Sequence, residues 1–311
     1  MIQLILKRLF TYIPVLLVVV IITFLMIHAA PGGPFDAERV ASPEIIEKLN
    51  EAYNLDKPIH VQIYNYLFNA IQGDFGPSFK YPGRTVTELI MSGLPTTIEL
   101  AIYSILFAIF LGVISGLVAS LNPGKILDIV PMSISLLGIC IPSIILGPVL
   151  VLIFGIWYEV LPVYGWGDNP GDKILPTITL GTAYAAIFAR LTRGGMLEIL
   201  GQDFIRTARA KGLSEFHVIK DHALKNSLNP VVTIISGWFA SLLAGAVFVE
   251  FIFGWNGIGK EIVNALNLLD LPVIMGSVLV IAYMFILINI IVDIIYIKLD
   301  PRIKINYEII F

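Results

Sequence analysis

Six long apolar stretches restrict what this chain can fold into. They cover residues 9–30, 95–121, 128–154, 174–193, 230–250 and 272–298. A helix needs roughly 20 apolar residues to cross a bilayer, and each stretch is about that long. Of the 311 residues only 14% are charged, whereas soluble domains carry about 25% charged residues. We therefore predict an all-α integral membrane protein with six transmembrane helices.

The first apolar stretch has two possible explanations. It follows Lys7 and Arg8, and a cleaved signal peptide also begins with a charged segment before an apolar run. The run is long for a signal peptide, and His28-Ala29-Ala30 is a poor cleavage site. We interpret residues 1–30 as a cytoplasmic N-terminus and an uncleaved first transmembrane helix.

The distribution of basic residues predicts the orientation. With the N-terminus inside, most of the 20 Lys and Arg residues fall in the cytoplasm, as the positive-inside rule requires. The others lie mainly in residues 31–93, and long loops translocate regardless of charge. We predict a multi-pass protein of the cytoplasmic membrane, with both termini, including the tail 299–311, in the cytoplasm. Trp157, Tyr158, Tyr164 and Trp166 cluster in the second outward loop, as in an aromatic belt.

Residues 31–93 are predicted to form a small extracytoplasmic insertion between the first two membrane helices. Ser42-Pro43-Glu44 is typical of a helix start, and residues 59–71 have the composition of a helix lying at the membrane interface. Residues 73–77, Gly-Asp-Phe-Gly-Pro, indicate a loop. About sixty residues give too little core for an independent enzyme.

Residues 203–230 form a charged segment between two apolar stretches. Asp203 is predicted to cap a short helix with Phe204, Ile205 and Ala208 on one face and the arginines on the other. Gly212 suits the left-handed position that ends a helix, with Leu213 as its apolar contact.

A second short helix is predicted to follow that turn. Ser214 would cap it, and Phe216, Ile219 and Ala223 would form its apolar stripe. Asn229 and Pro230 are typical of the start of the next helix. From physical chemistry alone, this helix pair is either a docking platform or a basic loop held near anionic headgroups.

This segment resembles the cytoplasmic "EAA" loop of ATP-binding-cassette importer permeases, in the form found in the peptide branch. The matching residues are Thr207-Ala208-Arg209-Ala210-Lys211-Gly212-Leu213, His222-Ala223-Leu224 and Asn226 before Pro230. Arg206-Thr207-Ala208 stands where the general pattern has Glu-Ala-Ala, and Lys225 stands where many members have Pro. The peptide branch commonly departs in the same way.

In that family the first short helix is a coupling helix seated in a groove of the ATPase subunit. The resemblance therefore implies that the coupling residues are Asp203, Phe204, Ile205, Arg206, Thr207, Ala208, Arg209, Ala210, Lys211 and Gly212. They lie in a cytoplasmic loop, residues 198–229, within a five-helix core at 94–298.

The resemblance extends along the chain and is strongest to the B-type subunit of oligopeptide permeases. Further matches are Ala30-Pro31-Gly32-Gly33-Pro34-Phe35-Asp36, Gly73-Asp74-Phe75-Gly76-Pro77-Ser78, Phe253-Gly254 with Gly257-Ile258-Gly259, and Leu299-Asp300-Pro301-Arg302. It implies a type I importer permease fold, a second homologous permease, two cytoplasmic ATP-binding subunits and an extracellular solute-binding protein. The implied substrate is an oligopeptide; dipeptides, nickel chelates or another small solute are alternatives.

A stand-alone secondary transporter is the alternative from another class. Inverted repeats and a charged residue buried at mid-membrane would favour that class of protein. Neither is evident in the sequence. Arg206, Arg209 and Lys211 could suggest nucleic-acid binding, but flanking membrane stretches favour ATPase docking or lipid contact.

Residues 254–260 match the phosphate-binding pattern G-x-x-x-x-G-K. Glu261 stands where Ser or Thr would hold magnesium, the preceding stretch is apolar and membrane-length, and the predicted topology places the loop outside. We interpret it as a glycine-rich extracellular turn. We predict no catalytic residue, cofactor site or metal site in this chain, so ATP hydrolysis is expected in separate subunits.

Several residues inside the apolar stretches have more than one interpretation. Gly112, Gly116 and Ser120 permit close helix contact or form a tolerant surface. Pro142 introduces either a harmless kink or a bend that shapes the transport path. Glu99 and Asp293 are candidates for function, although local pairing or snorkelling explains them better. Cys140 is predicted to be a small core residue.

Overall fold

The computed structural model describes residues 2–29, 57–167 and 169–299. Within these ranges the secondary structure is helical, and one isolated bridge joins Pro77 and Thr85. The longer helices are α1 Ile2–Ala29, α2 Ile59–Ile71, α3 Val86–Ser120, α4 Ile126–Cys140, α5 Ser143–Leu150 and α6 Ile174–Leu200. They are followed by α7 Asp203–Ala210, α8 Glu215–His217, α9 Asn229–Phe253, α10 Ile258–Leu268 and α11 Leu271–Leu299. The helix predicted at Ser42-Pro43-Glu44 lies outside the described residues.

Several helices are long and apolar enough to cross a membrane. Val86–Ser120, Gly171–Leu200 and Leu271–Ile291 each satisfy this by length and composition. Two bent pairs, Ile126–Cys140 with Ser143–Trp157 and Ser241–Phe253 with Ile258–Leu268, raise the number to as many as five among the described residues. The all-helical, multi-pass architecture is thus as predicted, while six spans remain a prediction.

The described chain divides into two compact units. The first is formed within residues 1–98 and 255–290. Its core combines Val20 of α1 with Tyr66 and Phe75 of the predicted insertion and Val273 of α11. The described part of the insertion therefore shares its core with helices on both sides of it in the sequence.

A buried carboxylate fixes one loop of this unit. Asp270, which is fully buried, accepts a hydrogen bond from the Ser78 hydroxyl. The backbone N–H groups of Phe79 and Lys80 also donate to it, each at 3.2 Å. Buried charge requires such donors, so the loop after residue 77 is held against the α10–α11 turn.

The second unit lies within residues 99–254 and from 291 onward. A Cβ atom added to Gly112 would lie 2.6 Å from the carbonyl oxygen of Ala185 and from the Cβ of Phe188. A Cβ on Gly116 would similarly overlap Ala189 and Thr192. These glycines therefore let α3 and α6 touch backbone to backbone, which confirms the close-contact interpretation.

The third apolar stretch is broken at Pro142. Helix α4 ends at Cys140, α5 begins at Ser143, and the pair is bent by 110°. The proline therefore marks a sharp break, which is more than the harmless kink considered from the sequence, while a role in shaping the transport path remains a prediction. Proline lacks the N–H and restricts the residue before it to extended backbone, and Ile141 has φ −90° and ψ 112°.

Cys140 is exposed, so its prediction as a core residue was also wrong. The buried positions of α4 are Asp128, Ser135 and Gly138, and Cys140 lies off that narrow face at the end of the helix.

Candidate functional site

The charged segment predicted from the sequence is built directly onto the end of a long helix. Helix α6 ends at Leu200 and α7 begins at Asp203, so two residues connect them. The N–H of Gly201 donates to Glu198 at 3.3 Å and the N–H of Gln202 donates to Ile199 at 3.0 Å. The N–H of Ile205 in turn donates to the Gln202 carbonyl at 3.1 Å. Hydrogen bonds therefore join the link both to α6 and to α7, although the backbone is extended at Gln202, where ψ is 151°.

One face of α7 is buried against α6 and the following helix. Ile205 is 0% and Ala208 6% exposed, and they pack in one cluster with Met196, Val218 and Ala223. Phe204 was predicted to share this face but is 43% exposed. Positions i and i+3 of a helix point the same way, so Ile205 and Ala208 face inward and Phe204 lies at the edge.

The opposite face of α7 is exposed and mixes basic and apolar groups. The exposed positions of this helix and its turn are Asp203, Phe204, Arg206, Thr207, Arg209, Ala210, Lys211, Gly212 and Leu213. Phe216 beyond the turn is 67% exposed. Exposed aromatic side chains beside cations are typical of protein-binding surfaces.

Gly212 ends α7 as the sequence predicted. Its φ is +81°, the left-handed region that favours glycine. Its N–H donates to the Arg209 carbonyl at 3.0 Å, and the N–H of Leu213 donates to Ala208 at 3.4 Å. This pair of hydrogen bonds defines a Schellman motif, so the turn has a fixed geometry.

Two predicted caps are placed differently in the structure. Asp203 is the first residue of α7 rather than its cap, which is Gln202, and its carboxylate lies 3.5 Å from Arg206 in an exposed ion pair. Ser214 does precede α8, but its hydroxyl lies 2.8 Å from Nδ1 of His217 and makes no capping hydrogen bond. Both side chains bind a neighbouring side chain instead of backbone N–H groups.

Phe216 does not join the predicted apolar stripe. After α8 the chain continues as a π-helical turn, Val218–Leu224, and a short helix, Lys225–Ser227. The buried residues of that turn are Val218 and Ala223, five positions apart as i→i+5 hydrogen bonding places them. The stripe expected from a 3.6-residue period was therefore partly wrong.

An ion pair bridges the Gly212 turn. Arg209 donates from Nε to Glu215 at 3.1 Å and from Nη2 at 2.5 Å. The hydrogen bond from Arg209 holds the pKa of the Glu215 carboxyl below its usual value and raises the pKa of Arg209. The pair is therefore intact at neutral pH and is lost only as the pH falls through that lowered pKa. Both groups are exposed, so it adds at most about 1 kcal/mol.

The segment at Gly254 does not form a phosphate loop. It follows helix α9, and Gly254 is the left-handed residue that ends that helix, at φ +72°. The N–H of Ile258 at the start of α10 already donates to the Thr97 hydroxyl at 2.9 Å. The structure therefore agrees with a glycine-rich turn between helices.

The charged residues singled out in apolar stretches have local explanations where the structure describes them. Glu99 pairs with Lys173 at 2.5 Å, which confirms local pairing. The side chain of Asp293 lies outside the described part of the structure. No group of three or more His, Cys, Asp or Glu side chains among the described residues could hold a metal.

The sequence interpretation missed one ion pair, between Asp128 of α4 and Arg193 of α6. Their side chains are 2.5 Å apart, and Asp128 is 6% exposed. The sequence did contain a signal for this pair. Asp128 begins one apolar stretch and Arg193 ends the next, so the two opposite charges lie on the same predicted side of the membrane.

The long apolar helices, with a short amphipathic helix between them, are the architecture of a multi-pass membrane protein. Residues 108–305 match the family of binding-protein-dependent transport system inner membrane components, and residues 1–101 match its N-terminal region. The chain belongs to this family and is a permease subunit of an ATP-binding-cassette importer.

Individual relatives match along almost their whole length. The oligopeptide transport system permease protein OppB of Haemophilus influenzae is 40% identical, over 98% of this chain and 100% of that protein. The dipeptide permease protein DppB of Bacillus subtilis is 39% identical, over 96% and 97%. The glutathione permease protein GsiC of Escherichia coli K12 is 38% identical, over 98% and 99%.

Solved structures share the fold. The methionine transporter MetNI matches with a TM-score of 0.55 at 19% identity, over 68% of this chain and 96% of that chain. An amino acid transporter crystallised with histidines matches with a TM-score of 0.51 at 16% identity, over 70% and 94%. These likenesses support the type I importer permease fold.

Proposed function

We propose that this permease subunit imports oligopeptides across the cytoplasmic membrane by alternating access. The three relatives are named for oligopeptides, dipeptides and glutathione, which are all short peptides. That shared substrate class supports peptide import over the alternative of nickel chelates. A second homologous permease and an extracellular solute-binding protein would complete the path.

The coupling site is the exposed face of α7 from Asp203 to Gly212, and its partner is one of two separate ATP-binding subunits. The observation that carries this proposal is the division of α7 into two faces. Ile205 and Ala208 fix the helix to α6, while Phe204, Arg206 and Arg209 remain exposed. A partner that binds the exposed face and displaces α7 therefore displaces α6 as well.

Transport follows from that connection. Closure of the ATP-binding subunits on ATP displaces α7, and the short hydrogen-bonded link passes the displacement to α6. The chain needs no nucleotide site for this role, because the free energy of ATP hydrolysis arrives as mechanical displacement. Selectivity would come largely from the solute-binding protein.

The docking proposal is tested by comparing two exposed phenylalanines. Phe204 is 43% and Phe68 of α2 is 57% exposed, and both lie on helices. We expect Phe204→Ala to weaken co-purification of the ATP-binding subunits by about tenfold, since a buried aromatic at an interface commonly contributes 1–2 kcal/mol. Phe68→Ala is the control and should leave co-purification unchanged. Equal effects of the two changes would contradict the proposal.

The orientation is tested by chemical labelling. With Cys140 replaced by Ala, Ser214→Cys should react with an impermeant thiol reagent only after the membrane is opened. Asn256→Cys, at an exposed position of the turn after Gly254, should react in intact cells, because charge places that turn outside. Labelling of residue 214 in intact cells would reverse the orientation and exclude docking to a cytoplasmic ATPase.

A further inference from the structure

The ion pair between Asp128 and Arg193 has a demanding geometry. Arg193 donates from Nε to Oδ1 of Asp128 at 2.5 Å and from Nη2 to Oδ2 at 2.7 Å. The backbone N–H of Gly124 donates to Oδ2 at 2.9 Å. A bidentate pair of this kind fixes the orientation as well as the distance of its two partners. It therefore locks α4 and the loop before it to α6.

Its position links two features already described. Arg193 precedes Met196 by about one helical turn, and Met196 is fully buried in the cluster that holds α7. On the other side, Asp128 lies in the first turn of α4, the helix that ends at the 110° break. The pair thus stands between the coupling helix and the bent α4–α5 region.

Small groups make part of the remaining contact between α4 and α6. Ser135 and Gly138 are the other buried residues of α4, and a Cβ added to Gly138 would lie 2.9 Å from the methyl group of Thr182. Small residues let two helices approach closely. The bidentate pair adds a directional constraint to this contact, which opposes sliding or rotation of α4 on α6 at Asp128 and Arg193.

We propose that Asp128 and Arg193 are positioning residues that make α4 move together with α6 when an ATPase subunit displaces α7. This inference rests on the proposed coupling role of α7. The pair carries the displacement to α4, which is joined to α5 through Ile141 and Pro142. Without the pair, α6 would move and α4 would lag behind it.

Two other sites serve as controls, one at the opposite end of α6 and one beside Arg193. Glu99 and Lys173 form an ion pair with the same 2.5 Å separation and partial exposure, 37% and 30%, but near the start of α6. Arg190 lines the same cleft of about 500 Å³ as Arg193 and Asp128, and has no ion-pair partner among the described side chains. Lys173→Gln removes an equivalent pair, and Arg190→Gln removes an equivalent charge.

The test is a distance measurement in the complete transporter reconstituted in lipid vesicles. Spin labels are placed at the native Cys140, which ends α4, and at Ser214→Cys beyond the coupling turn. In the parent we expect a narrow distance distribution that ATP leaves unchanged, because α4, α6 and α7 move together. In Asp128→Asn and Arg193→Gln we expect the distribution to shift or broaden when ATP is added.

A conservative variant separates positioning from simple stabilisation. Asp128→Glu keeps the carboxylate and should restore the ATP-independent distribution. Basal ATP hydrolysis should stay within about twofold in every variant, since the docking face is untouched and a distant change usually costs little. A pair that merely stabilised the fold would lower the yield of transporter in Asp128→Asn without making the distance depend on ATP.

Three outcomes would overturn the inference. One is an ATP-independent distribution in both Asp128→Asn and Arg193→Gln. Another is an equal response in the Arg190→Gln or Lys173→Gln controls. The third is a parent chain that does not bind the ATP-binding subunits, which would refute the proposed coupling role and this inference with it.

Discussion

Gly212 and Gly254 end two helices with the same left-handed backbone but in opposite surroundings. Their φ angles are +81° and +72°. A Cβ added to Gly212 meets nothing within 4 Å, whereas one added to Gly254 would overlap the ring of Tyr164. The Gly212 turn is open to its surroundings, and the Gly254 turn is covered by an aromatic side chain. The comparison teaches that the same local signal accompanies both an open, exposed turn and a tightly packed one.

The largest expected effect is on stability at Gly254. Gly254→Ala should cost about 2–4 kcal/mol, because left-handed strain adds to the displacement of Tyr164 from its packing. Gly212→Ala meets the same strain without the overlap and should cost about 1–2 kcal/mol. Thermal unfolding of the two purified variants in detergent measures the difference.

The Tyr164 ring provides the control for this pair. In a Tyr164→Ala background, Gly254→Ala should cost no more than Gly212→Ala, since only strain remains. If the two glycines cost the same with Tyr164 present, the ring does not distinguish the turns.

The next effect is functional and concerns Gly212. Gly212→Val should accumulate normally but bind the ATP-binding subunits about tenfold more weakly, because 1–3 kcal/mol of strain in a β-branched residue distorts the turn. Gly212→Asn should be milder, since Asn tolerates the left-handed region. Co-purification and ATP hydrolysis of the assembled complex measure this. If the Gly212→Val variant couples ATP hydrolysis to transport as well as the parent does, the Gly212 turn has no role in coupling.

The smallest effect is expected beside Gly254. Lys260 donates to Asn256 at 2.8 Å and stands in a motif that resembles a phosphate loop. Lys260→Ala should leave the rate of ATP hydrolysis by the complex within about twofold of the parent rate, because a substitution at the surface usually costs under about 0.5 kcal/mol. A hundredfold loss with assembly intact would mean that this segment binds nucleotide.

Local signals in the sequence predicted several elements well. Helix α2 begins at Ile59 and ends at Ile71 as predicted, because Pro58 and Gly73 punctuate both ends. The Gly212 turn was predicted because a left-handed glycine with its apolar neighbour is decided by a few adjacent residues. The capping hydrogen bonds predicted for Asp203 and Ser214 are not formed, because Arg206 and His217 respectively bind those side chains instead.

Features that depend on distant partners could not be predicted. Helix α4 buries Asp128, Ser135 and Gly138 and exposes large apolar residues such as Ile134 and Leu136. In a bilayer the lipid solvates apolar groups, so small and polar residues face neighbouring helices. If the apolar residues of α4 are assumed to face the protein core, as in a soluble protein, Cys140 is wrongly predicted to be buried. The Asp128–Arg193 ion pair forms only because α4 packs against α6. No local sequence pattern predicts that two helices so far apart in the chain are neighbours.

The two-residue link between α6 and α7 limits where the chain tolerates added length. Each inserted residue lets the link extend by up to about 3.3–3.6 Å, so even a short epitope at Gly201 would absorb the displacement before α6 moved. Such an insertion should leave a folded transporter that hydrolyses ATP and imports little. The exposed loop at Gly83, where an added Cβ meets nothing within 4 Å, is a safer place for a tag. Natural length variation among relatives is expected to avoid positions 201 and 202 for the same reason.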